Sequence, residues 1–113
     1  MEKFVRQTLL FDFYGELLTE HQQRIYEDVV CNDMSCSEVA AEQGVSRQGI
    51  HDLVKRCNRQ LEEYEEKLHL VEKFGKTKEM VEEIRRLAAQ YRLSADEKLI
   101  GRIDEIAGEI LDL

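Results

Sequence analysis

An all-α protein built around a helix-turn-helix is the fold this sequence predicts, on three observations. Ile50, Val54, Cys57, Leu61, Tyr64, Leu68 and Val71 alternate by four and three residues, the spacing of one continuous helix face. The 113 residues contain no proline, 35% are charged and 42% are apolar, enough for one domain of charged amphipathic helices around a modest core. Residues 37–53 read SEVAAEQGVSRQGIHDL. In that string Val39 and Ala40 precede Gly44, and Ile50 and Leu53 follow it, at offsets that let two helices cross closely around a glycine turn.

The elements follow from local signals. The first helix is expected over residues 2–14, with Phe4, Val5, Leu9, Phe13 and Leu17 as its apolar side and Gly15 ending it. Thr19 caps a second helix through Cys31, whose pairs Ile25–Tyr26 and Val29–Val30 recur at helical spacing. Ser35 opens a third, with Glu38 three residues on in a capping box. Ser46 opens the fourth, which is expected to run unbroken almost to Gly75, roughly 28 residues or about 42 Å at 1.5 Å each. Gly75 marks its end. Thr77 begins a fifth helix carrying Met80, Ile84, Leu87 and Tyr91. Ser94 and Glu97 form a capping box for a sixth, with Leu99, Ile103, Ile106, Ile110 and Leu113 on one side.

Residues 1–75 thus form the helix-turn-helix domain with its long helix, and residues 76–113 a C-terminal helical hairpin, the two packed as one unit. The long seam has more apolar positions than a chain this charged can cover by itself. A homodimer is therefore expected, with Leu61, Tyr64, Leu68, Val71, Ile84, Leu87, Ile103, Ile106 and Ile110 at its interface.

The second helix of such a motif enters a nucleic-acid groove. At 100° per residue, Arg47, Gln48, His51, Lys55 and Arg59 fall opposite the apolar arc of the fourth helix. Glutamine pairs with an adenine edge, arginine with guanine or phosphate, lysine with phosphate, and Ser46 at the helix start can donate to phosphate. The chain carries a net charge of −8, so any basic footprint is local. Residues 46–60 hold Arg47, Lys55, Arg56 and Arg59 against Asp52, a net of +3. Glu62, Glu63, Glu65 and Glu66 follow, read as a solvated acidic face.

Residues 17–56, LLTEHQQRIYEDVVCNDMSCSEVAAEQGVSRQGIHDLVKR, resemble region 4 of bacterial sigma factors. The chain is more similar still to the YlxM family of small bacterial DNA-binding proteins. That resemblance is carried by LLFDFYGELLT at residues 9–19, GVSRQ at 44–48 and LEEYEEKLHL at 61–70. It implies a sigma region 4-like helix-turn-helix, a regulatory role and a link to the signal recognition particle. DNA or the particle's RNA would then be the ligand. In the other reading, the particle's proteins are the partners and the motif is only a scaffold. The chain departs from sigma region 4 at Gly49, where a larger polar residue is usual, and at Asp52.

Chemistry of other kinds finds no support. Glu66 and His69 have the Glu-x-x-His spacing of a bundle metal site, but His21 and His51 lack the matching glutamate, so no metal or other cofactor is expected. No phosphate loop, HExxH or GxSxG occurs, and no enzyme is expected. Cys31, Cys36 and Cys57 lack CxxC spacing and are read as small core hydrophobes. Without a signal-peptide pattern or a membrane-length apolar run, a cytoplasmic protein is expected, with no membrane insertion.

Overall fold

A computed structural model describes residues 2–113, and the regular structure among them is helical. The chain divides into two compact units, the first ending at Val71 and the second covering residues 72–113.

In the first unit α1 (Lys3–Tyr14) buries Leu10 and Tyr14, and the 3₁₀ turn Gly15–Leu17 carries the chain on to buried Leu18. The apolar side read from the sequence is therefore rotated. Phe4, Val5, Phe13 and Leu17 are exposed, and only Leu9 of that set packs partly against the core. The neighbouring stripe wins because it meets Tyr26, Val30, Cys57 and Leu61 in one cluster. Gly15 is required by close approach, since a Cβ there would lie 2.9 Å from Cδ1 of Phe11. The Phe11 ring is stacked on Tyr26 with centroids 5.3 Å apart.

Thr19 caps α2 (Glu20–Tyr26) in a complete capping box with Gln22. The helix then widens into a π-turn, Glu27–Cys31, which brings Val30 into the core. Ser35 caps α3 (Cys36–Gln43) by accepting from the Glu38 N–H at 3.1 Å, while its hydroxyl donates to the Glu38 carboxylate. Gly44 closes α3 in the left-handed conformation, φ +67°, and Ser46 caps α4 (Arg47–Leu68) by accepting from the Gly49 N–H at 2.9 Å. Val39, Ala40, Ile50 and Ile25 form a second buried cluster that locks the two helices of the motif. Burial of a side chain such as Ile50 contributes about 1.5–3 kcal/mol.

The long helix does not continue to Gly75. It breaks at His69, which adopts φ +57°, and α5 (Leu70–Ser94) starts at once and runs through Gly75 without interruption. The first N–H groups of α5 are taken up from elsewhere in the unit. The Tyr14 hydroxyl accepts from Leu70 at 3.1 Å, and the Glu65 carboxylate accepts from Val71 at 2.9 Å. Leu61 and Val71 are consequently buried in the first unit's own core, with Tyr64 half-buried against it. Leu61 and Val71 are thus not available to an intermolecular seam, contrary to the expectation from periodicity.

The second unit contains the rest of α5 and α6 (Glu97–Leu111). Asp96, not Ser94, caps α6, accepting from the Lys98 N–H at 3.0 Å. Ser94 ends α5 instead, with its hydroxyl on the Gln90 carbonyl, and Ala95 turns the chain at φ +53°. Arg102 reaches Glu83, Glu105 and Glu109 at 3.2 to 3.9 Å. Ile106 is 1% exposed, which removes it too from the expected interface, whereas Ile84, Leu87, Ile103 and Ile110 are half-buried and Leu68 in the first unit is exposed.

Among the cysteines only Cys57 is a core residue. Cys36 is half-buried and Cys31 exposed, so the core reading fails for Cys31, which lies at the end of the π-turn. No helix is long and apolar enough to cross a membrane among the described residues.

Candidate nucleic-acid interface

The Gly44 turn and the Ser46 cap aim the start of α4 outward. Arg47, Gln48 and His51 are exposed and line one shallow depression together with Cys36, the first residue of α3. Lys55 lies one turn further along, also exposed. Neither Arg47 nor Lys55 makes an ion pair among the described residues, so both guanidinium and ammonium are free for phosphate or base oxygens. The Ser46 hydroxyl oxygen is engaged as the cap, which leaves its O–H to donate outward.

Asp52 modifies this surface. Its carboxylate accepts from the Gln48 amide at 3.0 Å and lies 3.9 Å from Nδ1 of His51. Of the six residues singled out from the sequence, Gln48 is therefore held by an acidic neighbour that fixes its amide in orientation, and His51 faces the same carboxylate.

Arg59 does not share the depression. It sits with Arg56 on the other flank of α4, in a groove between α2 and α4 also lined by Thr19, His21, Gln22, Leu53 and Gln60. The predicted set is thus split into two groups. Arg56, missed by the sequence reading, belongs to the second; its place in the same basic run was the available signal.

The acidic run beyond this face is less repulsive than its composition suggests. Glu62 is held by Arg6 of α1 through two hydrogen bonds of 2.7 Å, which pulls its carboxyl below the ordinary range and pushes the guanidinium of Arg6 up. Glu65 is buried, its carboxylate receiving the Tyr14 hydroxyl and the Val71 N–H. It is not part of a solvated face. Glu63 and Glu66 remain exposed. Among the described residues no three side chains of metal-ligand type converge.

The sequence of the whole chain has clear relatives. Residues 1–103 match the model of the UPF0122 family, described as YlxM / p13-like helix-turn-helix proteins. YlxM of Bacillus subtilis (strain 168) is 44% identical over 89 residues, 79% of this chain and 81% of that protein. A UPF0122 protein of Shouchella clausii is 39% identical over 107 residues, 94% of this chain and 98% of the relative. Another from Thermoanaerobacter pseudethanolicus is 38% identical over 113 residues, 99% and 97% of the two chains. With its Gly44 turn, capped α4 and matched length, this chain belongs to the UPF0122 family of YlxM / p13-like helix-turn-helix proteins.

Proposed function

We propose that this protein is a non-enzymatic, cytoplasmic nucleic-acid-binding regulator that places the first turns of α4 in the major groove of duplex DNA. The observation that carries the reading is the outward presentation of Arg47, Gln48, His51 and Lys55 immediately after the Gly44 turn, with the two cations free of ion pairs. Lys55 supplies a phosphate contact, Arg47 pairs with guanine or phosphate, and Gln48 offers an amide fork that matches an adenine edge. The connection to the signal recognition particle rests on the family resemblance, and it makes that particle's RNA the second ligand to test.

Fluorescence anisotropy against duplex DNA and against the particle's RNA, each at two salt concentrations, tests the proposal. Salt-sensitive binding weakened by Arg47→Ala and by Lys55→Ala is expected. No binding to either nucleic acid at low salt removes the proposal and leaves the accessory reading, in which the particle's proteins are the partners and pull-down of one of them is the diagnostic.

The half-buried Ile84, Leu87, Ile103 and Ile110, with exposed Leu68, support the further proposal of a homodimer. Size-exclusion chromatography with light scattering decides that point: a monomer at tens of micromolar protein excludes it.

A further inference from the structure

We infer that the groove between α2 and α4 is a separate phosphate site, in which Arg56 and Arg59 grip the backbone of the nucleic acid whose groove receives Arg47 and Gln48. The inference rests on the proposed function and divides its surface into two parts with different work.

Every side chain that lines the groove and carries polar atoms can donate: Thr19, His21, Gln22, Arg56, Arg59 and Gln60. No carboxylate lines it, in a chain of net charge −8. Its arginines also differ from two others in the chain. Arg6 is spent on Glu62, and Arg102 on Glu83, Glu105 and Glu109, whereas Arg56 and Arg59 have no ion pair among the described residues. A concavity rich in donors, free of carboxylates and holding unpaired guanidiniums fits an anion, and a phosphodiester accepts from two such forks at once.

The walls are held in place. The Gln22 side-chain amide donates to Oε1 of Gln60 across the groove at 3.2 Å, and Gln22 is itself fixed by the Thr19 capping box. Half-buried Leu53 supplies an apolar lining.

Position along α4 argues that these two residues meet phosphates and not base edges. Arg56 and Arg59 lie about 13.5 and 18 Å up the axis from Arg47 at 1.5 Å per residue. The major groove is about 8.5 Å deep. A helix entering by its first turn therefore brings Arg47 and Gln48 to the floor and Arg56 and Arg59 to the rim, where the backbone runs. Around the axis they stand about 180° and 120° from Arg47, on the α2 flank.

The test is the salt dependence of binding to mixed-sequence duplex DNA between about 50 and 200 mM salt. The double variant R56A/R59A is expected to bind every sequence more weakly, with the slope of log affinity against log salt shallower by about 2. Its far-UV spectrum and melting are expected to match the parent, because both side chains are exposed and unpaired. The variant R56K/R59K is expected to restore the slope. An unchanged slope in folded R56A/R59A, or a loss confined to one sequence, overturns the phosphate site while leaving the proposed function standing. Failure of the parent protein to bind at all removes both.

Discussion

The Tyr14 hydroxyl donates to the Glu65 carboxylate over 2.6 Å, with both side chains buried, and the pair sits at the break between α4 and α5. The same two groups accept the N–H of Leu70 and of Val71. A residue in α1 and one in α4 therefore terminate α5 at its amino end, where a negative charge is favourable. Burial, aided by the hydrogen bond to Glu65, pushes the Tyr14 phenol up.

Tyr14→Phe is expected to destabilise the protein by about 1–3 kcal/mol, because the Glu65 carboxylate loses a donor and the Leu70 N–H its acceptor. Glu65→Gln is expected to cost a similar amount. In a double-mutant cycle read by urea unfolding the two losses overlap, with a coupling of at least about 0.5 kcal/mol. Simple additivity would show that the two side chains act independently.

The Arg6–Glu62 pair makes stability depend on acid. Glu62 has a carboxyl lowered mainly by its hydrogen bond to Arg6. A lowered folded-state value stabilises above the unfolded carboxylate range, about pH 4.3, and that contribution is lost as the pH falls through the folded value. Both side chains are substantially exposed, so the effect is at most about 1 kcal/mol. Glu62→Gln is expected to lower stability at neutral pH and flatten its fall below about pH 4.3. Urea midpoints measured from neutral to acid pH report it, and parallel profiles for parent and variant would contradict it.

Gly15 and Gly44 separate two reasons for glycine. At Gly15 the backbone is ordinary, φ −56°, and the obstacle is the Phe11 ring. Gly15→Ala is therefore expected to displace Phe11 from Tyr26 and cost about 1–3 kcal/mol. At Gly44 a Cβ meets nothing within 4 Å, and the obstacle is the positive φ alone. Gly44→Ala is expected to cost about 1–2 kcal/mol, and Gly44→Asn less, since asparagine tolerates that conformation. Thermal melts of the three variants give the comparison; equal losses for Ala and Asn at Gly44 would refute the backbone explanation.

Asp52 restrains the face proposed to bind nucleic acid by holding Gln48 and facing His51. Asp52→Ala removes a negative charge beside phosphates and releases the Gln48 amide. Tighter binding to all duplexes, with reduced discrimination among sequences, is expected in a competition titration. Weaker overall binding would mean that Asp52 itself accepts from a base.

The short-range features were legible because each is decided within a few residues. Thr19, Ser35 and Ser46 cap their helices by bonds to the N–H three residues on, and Gly44 turns the chain by its own φ. The exposed basic residues at the start of α4 could likewise be placed by counting at 100° each. Their division between a depression beside α3 and a groove beside α2 could not, because it depends on where α2 and α3 flank α4.

By itself the sequence determined the helical class, the turn at Gly44, the caps at Thr19, Ser35 and Ser46, and the apolar face that α4 buries. Tertiary structure alone decided which stripe of α1 enters the core, where α4 stops, and whether its apolar seam faces inward or toward a partner. Gly75 is a plausible stop in local terms, yet the helix breaks at His69 because the freed N–H groups of Leu70 and Val71 find acceptors in Tyr14 and Glu65. Tyr14 lies 56 residues from Leu70 in the chain. No local window contains both, so the periodicity of the seam could be read from the sequence while its partner, the chain's own first helix, could not.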